Sequence, residues 1–371
     1  MHRLWLFSCF LIITVHVLRG QTLLQPMPVM GEPLGVKQGL SQGMINCIYQ
    51  DKEGYLWIST KDGLNRYDGY NMVVFRNNTN EPYSLPDNYC NATLEDEKGN
   101  FWVGTNSKGL FLFDKATERF YPVPAINHNK KNWCIREMRY TGGKLYIQTW
   151  TDLIILATDQ VDCKKESAIA GNKARLIFSY NQLQPNKKRT IENGLEVNAS
   201  WIPEQSVWVA FPDSLFCMKP SADHSRWTVS AYAPAALGIH EKIRGALFFY
   251  PAAGQPDMTI VTYNNTILHM NSKTMQTSRK AIPGQSTNLT DTKWYPVNDG
   301  RICNFRDSLI NIYDPATAVL ETTFVGDYKG PWKNFNQLYI DANGLKWFGT
   351  SGFGLIKKDI RKKSFTSYST N

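Results

Sequence analysis

The chain has 371 residues, of which 13% are aromatic, and a formal net charge of +9 at pH 7. Its basic residues are dispersed apart from Lys187-Lys188-Arg189 and the stretch from Lys357 to Lys363, which reads as a solvated surface and argues against a nucleic-acid partner. A chain of this length ordinarily makes two or three domains, whereas one closed repeat array can use all of it as a single core.

Residues 1–20 read as an export signal. His2 and Arg3 form a basic start, Leu4 to Val17 is an apolar run too short for a membrane span, and Gly20 offers a small residue for cleavage before Gln21. No later segment approaches about 18 consecutive apolar residues, so the expectation is a periplasmic chain with no direct membrane span. Residues 21–38 hold Leu34 and Val36, which are expected to form a closing or extra outer strand.

From residue 39 onward a spaced pattern takes over. Asp51-x-x-Gly54-x-x-Trp57 recurs as Asp96-x-x-Gly99-x-x-Trp102 and as Asp341-x-x-Gly344-x-x-Trp347. Each copy is followed by a glycine-led apolar run ending in Asp, at Gly63 to Asp68, Gly109 to Asp114 and Gly354 to Asp359. A phenylalanine follows further on, at Phe75, Phe120 and Phe365. Asp can bond its own backbone and Gly tolerates positive φ, so Asp-x-x-Gly predicts a tight turn between two strands. In the second copy Phe101 and Val103 are expected to face one way and Trp102 the other, with Leu110 to Phe113 as a third strand and Phe120 on an outer fourth. Four short antiparallel strands repeating about every 40–50 residues are the signature of a propeller blade.

In chain order, blade one is expected from Gly39 to about Arg76 and blade two from Ser84 to Val123. Blade three has Tyr146-Ile147-Gln148-Thr149 in place of the Trp run and closes at Asp159. Blade four centres on Trp208, so about residues 160–192 must hold an insertion, read as a long surface loop or an elongated outer hairpin. Blade five is carried by Met258 to Tyr263 and Ile267 to Met270, and blade six has Cys303 in the Trp slot and Leu309 to Asp314. The final blade is expected to supply its own four strands. The fold class is therefore all-β, a seven-bladed β-propeller of four-stranded antiparallel blades over residues 39–371.

Cys90 and Cys134 each lie twelve residues before a second-strand aromatic, Trp102 and Tyr146. That places them at equivalent inner-strand sites, as buried thiols or as a disulfide between neighbouring blades. No Cys-x-x-Cys or paired-histidine spacing marks a metal site, and no nucleophile elbow or phosphate loop is present. The expectation is no cofactor, no metal and no enzymatic activity. The recurring Asp residues read as turn formers and Trp57, Trp102, Trp208 and Trp347 as packing between blades. Binding is sought where the repeat breaks, on the face where second-to-third-strand turns meet the connections between blades. Candidates on the turns are Lys61, Asp62, Asn106, Lys108, Trp150, Asp152, Arg306 and Phe353, and on the connections Asn88, Tyr89, Asn132, Trp133 and Trp332. Flat aromatic faces suit sugar C–H surfaces, and Asn, Asp and Lys suit hydroxyls or acidic substituents.

The run Gly39-Leu40-Ser41 through Asp51-x-x-Gly54-x-x-Trp57 to Gly63-Leu64-Asn65-Arg66-Tyr67-Asp68-Gly69 closely resembles the two-component regulator propeller. That family is the periplasmic sensor region of hybrid two-component system histidine kinases in polysaccharide-degrading bacteria. The resemblance implies an oligosaccharide ligand and, as partners, a second propeller, a kinase-bearing remainder or partner chain, or a second copy as a homodimer. Two readings stand beside it, a scaffold propeller without its own ligand and an exported propeller enzyme acting on polysaccharide.

Overall fold

Short apolar runs separated by glycine turns pair in chain order into seven antiparallel sheets among the described residues. The computed structural model describes residues 34–127, 134–150, 152–158, 174–179, 198–202, 206–211, 213–221, 226–248, 257–262, 264, 266–271, 274–280, 294–306, 309–315, 317–324 and 335–358. Blade one is Ile45–Gln50, Leu56–Thr60, Gly63–Tyr67 and Met72–Phe75, and blade two is Cys90–Glu95, Phe101–Thr105, Leu110–Asp114 and Arg119–Pro122. Blade three is Ile135–Thr141, Lys144–Thr149, Asp152–Ala157 and Ala174–Ser179, and blade four is Asn198–Ile202, Ser206–Phe211, Ser214–Pro220 and Trp227–Tyr232. Blade five is Ile243–Phe248, Asp257–Thr262, Ile267–Asn271 and Thr277–Lys280, and blade six is Trp294–Pro296, Ile302–Arg306, Leu309–Asp314 and Val319–Phe324. Blade seven shows three strands, Phe335–Ile340, Lys346–Thr350 and Leu355–Lys358. Helical structure in this set is confined to single turns at Val36–Gln38, Pro124–Asn127 and Pro234–Leu237.

The core is partitioned between blades, because a four-stranded sheet must bury both of its faces. Seven buried clusters each join one blade to the next, and the last joins blade seven to blade one. Trp57 packs forward on Phe101 and Phe113 of blade two, at centroid distances of 4.5 and 5.4 Å. Trp102 packs forward with Ile135 and Ile147 of blade three, Trp208 with Ile243 and Ile260 of blade five, and Trp347 with Ile45 and Ile48 of blade one. Phe101 and Val103 face back towards Trp57, as the alternation in their strand requires. Truncating a buried Trp of this kind to Ala costs on the order of 3–5 kcal/mol.

The Asp of each full repeat does more than turn the chain. One oxygen of Asp51 accepts from the backbone N–H of Glu53 and Tyr55 at 3.0 and 2.9 Å, and the other accepts from the Trp57 indole at 2.8 Å. Asp96 and Asp341 repeat the arrangement, with indole distances of 3.1 Å to Trp102 and 2.8 Å to Trp347. Gly54, Gly99 and Gly344 hold φ of 94°, 86° and 78°, which completes the turn at low steric cost. The motif therefore ties the hairpin turn to the packing residue.

Within the stretch read as holding an insertion, Ala174–Ser179 pairs with Asp152–Ala157 as the outer strand of blade three. One expectation is corrected. Cys90 and Cys134 are not equivalent: Trp102 pairs with Leu94, whereas Tyr146 pairs with Arg139. Blade three turns its first hairpin through Gly142 and Gly143, both at positive φ, a two-residue turn one residue shorter than the count assumed. Finally, the outer edge of blade seven is taken at Leu355 by Leu34, with paired backbone bonds of 2.8 and 3.1 Å. Closure thus draws on the N-terminal segment, and Phe365, expected on a fourth strand of the blade's own, lies outside the described residues. Gly43 reinforces this seam, its carbonyl accepting from the N–H of Gly352 and Gly354 at 3.1 and 2.8 Å.

Candidate functional site

The inner strands surround an axial cavity of about 560 Å³ lined by blades one, two, three, six and seven. Its character follows from a repeated irregularity. In blades one, two, three, five and seven the inner strand carries one unpaired residue against its neighbour, at Asn46, Asn91, Arg136, Arg244 and Asn336 respectively. A β-bulge of this kind re-aims the extra side chain. Three of the resulting asparagines reach onto the following blade. Asn336 Nδ2 donates to the Ile45 carbonyl at 2.5 Å, Asn46 Nδ2 to the Cys90 carbonyl at 2.7 Å, and Asn91 Nδ2 to Cys134 Sγ at 3.3 Å.

Blade three places a cation where blades one, two and seven have amides. The Arg136 guanidinium lies 4.3 Å from the ring centroid of Trp150, and that indole is 44% exposed. Trp150 stands between the second and third strands of the same blade, so the stack sits at the cavity mouth. Cys134 Sγ donates to Asn106 Oδ1 at 3.2 Å beside it, and burial pushes this thiol's pKa up. The other charges lining the cavity are matched: Arg139 pairs with Glu137 at 2.9 Å, and Glu95 accepts from Lys115 at 3.1 Å and from the Lys52 N–H at 2.8 Å. Among the described residues no carboxylate pairs with Arg136. At the far end of the inner strands, Tyr49, Tyr140, Tyr295 and Tyr339 line the cavity. Burial raises the Tyr49 phenol to about 12 and also raises that of Tyr339, so both are neutral at physiological pH.

The residues proposed from sequence fall into distinct groups. Trp150 and Asn106 both engage Cys134, next to the cavity-lining Arg136. Lys61 lies 5.3 Å from the centroid of the Tyr89 ring, on the connection to blade two. Asp62 pairs with Arg76 at 3.1 Å, and Asn88 is engaged structurally, accepting from Asn77 N–H and, through its carbonyl, from Gly63 N–H, each at 2.7 Å. The Lys108 N–H closes its own turn on Thr105 Oγ1 at 3.1 Å. Asp152 is buried at 2% exposure as the first residue of a strand and does not offer a surface contact. Phe353 is 41% exposed at the blade-seven turn, remote in sequence from the other mouth residues, and Arg306 ends the second strand of blade six. Asn132, Trp133 and Trp332 lie outside the described residues. Sequence reasoning missed Asn46, Asn91, Arg136 and Asn336, although Ile45-Asn46, Cys90-Asn91 and Ile135-Arg136 recur 45 residues apart as an apolar residue followed by a polar one.

Five cysteines, Cys47, Cys90, Cys134, Cys217 and Cys303, are free thiols. Among the described residues no cluster of three or more His, Cys, Asp or Glu is placed to hold a metal ion, and no helix is long and apolar enough to cross a membrane.

The two component regulator propeller family matches residues 39–62 and 84–107. A stretch of 47 residues is 47% identical to histidine kinase P4 of Formosa agariphila and covers 13% of this chain and 3% of that protein. Among solved structures, the chain is similar to the extracellular domain of a B. thetaiotaomicron protein described as a hybrid two component system. That likeness has a TM-score of 0.60 and 17% identity, and covers 89% of this chain and 41% of the other. A streptogramin B lyase shares the fold at a TM-score of 0.55 and 12% identity, over 86% of this chain and 94% of the lyase. The chain thus spans about two-fifths of the solved extracellular domain, and these structural likenesses concern fold. It is a β-propeller whose first two blades carry two component regulator propeller repeats, similar in fold to the extracellular domains of two-component systems.

Proposed function

We propose that this chain is a periplasmic sensor propeller that receives an oligosaccharide at the mouth of its axial cavity and reports occupancy to a kinase-bearing remainder or partner chain. The observation that carries the reading is the Arg136–Trp150 stack. An indole with 44% of its surface in solvent, held flat by a cation, has no part in the packing between blades. Such a face suits the C–H surface of a sugar ring, and the neighbouring Asn91 and Asn106 amides suit its hydroxyls. The cavity volume lies within the range of about 300–1,000 Å³ common to small-molecule sites.

The same geometry favours a binding module over an enzyme. The recurring carboxylates Asp51, Asp96 and Asp341 are already engaged by indole and turn N–H groups, and the shared fold with a lyase does not by itself carry an activity. Calorimetry of the full chain against a panel of glycan fragments tests the reading. Binding of at least one fragment, weakened at least tenfold by Trp150→Ala, is expected. Failure of every fragment to bind, or binding indifferent to Trp150→Ala, would overturn it.

A further inference from the structure

The axial cavity carries one charge that the protein leaves unmatched. On the blade-three wall stands Arg136, a permanent cation with five N–H donors and no carboxylate partner among the described residues. The other charged side chains that line the cavity are paired, so a molecule that fits it carries an anionic group at the Arg136 wall.

Building on the oligosaccharide reading above, we infer that the cavity takes an acidic sugar unit, its carboxylate on Arg136. The remaining carboxylates of the cavity do not oppose this, since Glu137 is held by Arg139 and Glu95 by Lys115. Arg136 is anchored for the task by the Trp150 ring, which leaves the edges of its guanidinium free to donate, and a bidentate carboxylate is the partner that geometry suits. The bulge explains why this residue points inward, because in regular register the side chain would alternate onto a blade face.

The test is calorimetry on the full chain with matched acidic and neutral sugars: galacturonate with galactose, glucuronate with glucose, and the corresponding disaccharides. At least one uronate is expected to bind tenfold or more tighter than its neutral partner, with the gap closed by Arg136→Gln and partly retained by Arg136→Lys. Unchanged thermal unfolding of each variant ensures that a loss is local. Neutral sugars binding as well as acidic ones, or an acidic preference surviving Arg136→Gln, would overturn this inference while leaving the sensor reading intact. Absence of binding by every sugar would overturn both.

Discussion

Replacing Asp96 by Ala removes one carboxylate and strands several donors at once. In the native turn that carboxylate accepts from Lys98 N–H at 3.0 Å, Asn100 N–H at 2.9 Å, Asn100 Nδ2 at 2.9 Å and Trp102 Nε1 at 3.1 Å. Each orphaned buried donor costs about 1–3 kcal/mol, and water entering beside the exposed Glu97 and Lys98 satisfies part of the set. A net loss of about 4 kcal/mol follows. Asp96→Asn keeps one acceptor oxygen for the two backbone groups but sets an amide nitrogen against the Trp102 and Asn100 donors, for a loss of about 2 kcal/mol. The control is Asp299→Ala in blade six, whose carboxylate among the described residues serves only Arg301, by its N–H at 3.1 Å and its guanidinium at 2.7 Å. That partly exposed pair is worth under about 1 kcal/mol. With an unfolding entropy of about 2.1 cal/mol/K per residue, 371 residues unfolding together give a Tm shift of about 5 °C for Asp96→Ala and about 1 °C for the control. Differential scanning calorimetry reads both. Equal shifts for the two variants, or a shift below about 1 °C for Asp96→Ala, would refute the claim that this turn clamps the indole.

The closing seam offers a second measurement. A Cβ on Gly43 would lie 2.2 Å from the Gly352 carbonyl oxygen, so Gly43→Ala should destabilise by about 1–3 kcal/mol or more and increase proteolytic cutting near residues 34–44. Gly104→Ala meets Ile135 at 2.5 Å across the interface of blades two and three and should cost a similar amount in denaturant midpoint. The thiols predict reactivity and pH dependence together. Burial raises the pKa of Cys47, Cys90 and Cys303 above the ordinary thiol value of 9.0, and that of Tyr49 to about 12. Groups whose folded pKa is raised contribute stability that is complete below the unfolded value and lost as pH climbs towards the folded one. Chemical denaturation should therefore show a plateau below about pH 9 and a steep decline above it, and a thiol reagent at pH 8 should label the buried Cys90 and Cys303 only on unfolding. Trp150→Ala, by contrast, removes an exposed ring and should change stability by under about 0.5 kcal/mol.

The order of blades, the turn chemistry and the packing role of Trp57, Trp102 and Trp347 were written into the sequence by itself. They arise from local spacing: a turn glycine, a strand alternation and a period near 45 residues all lie within one blade's own stretch of chain. Even the degenerate blades kept their period where Tyr146 and Cys303 stand in the Trp slot. What the tertiary structure alone decided are relations between blades and slips within them. The sequence marked Leu34 as a closing residue, but its partner Leu355 lies more than three hundred residues away, and no local pattern encodes that pairing. Dropping one residue from the Gly142-Gly143 hairpin moved Cys134 off the site that counting assigned to it. The bulge at Arg136 turned a residue from an apparently ordinary strand into the cavity, beside a tryptophan that sequence had already marked as a binding candidate on a turn. A one-residue slip reverses which side of a strand a residue occupies, so the side chains that line the cavity were settled only when the blades were set around a common axis.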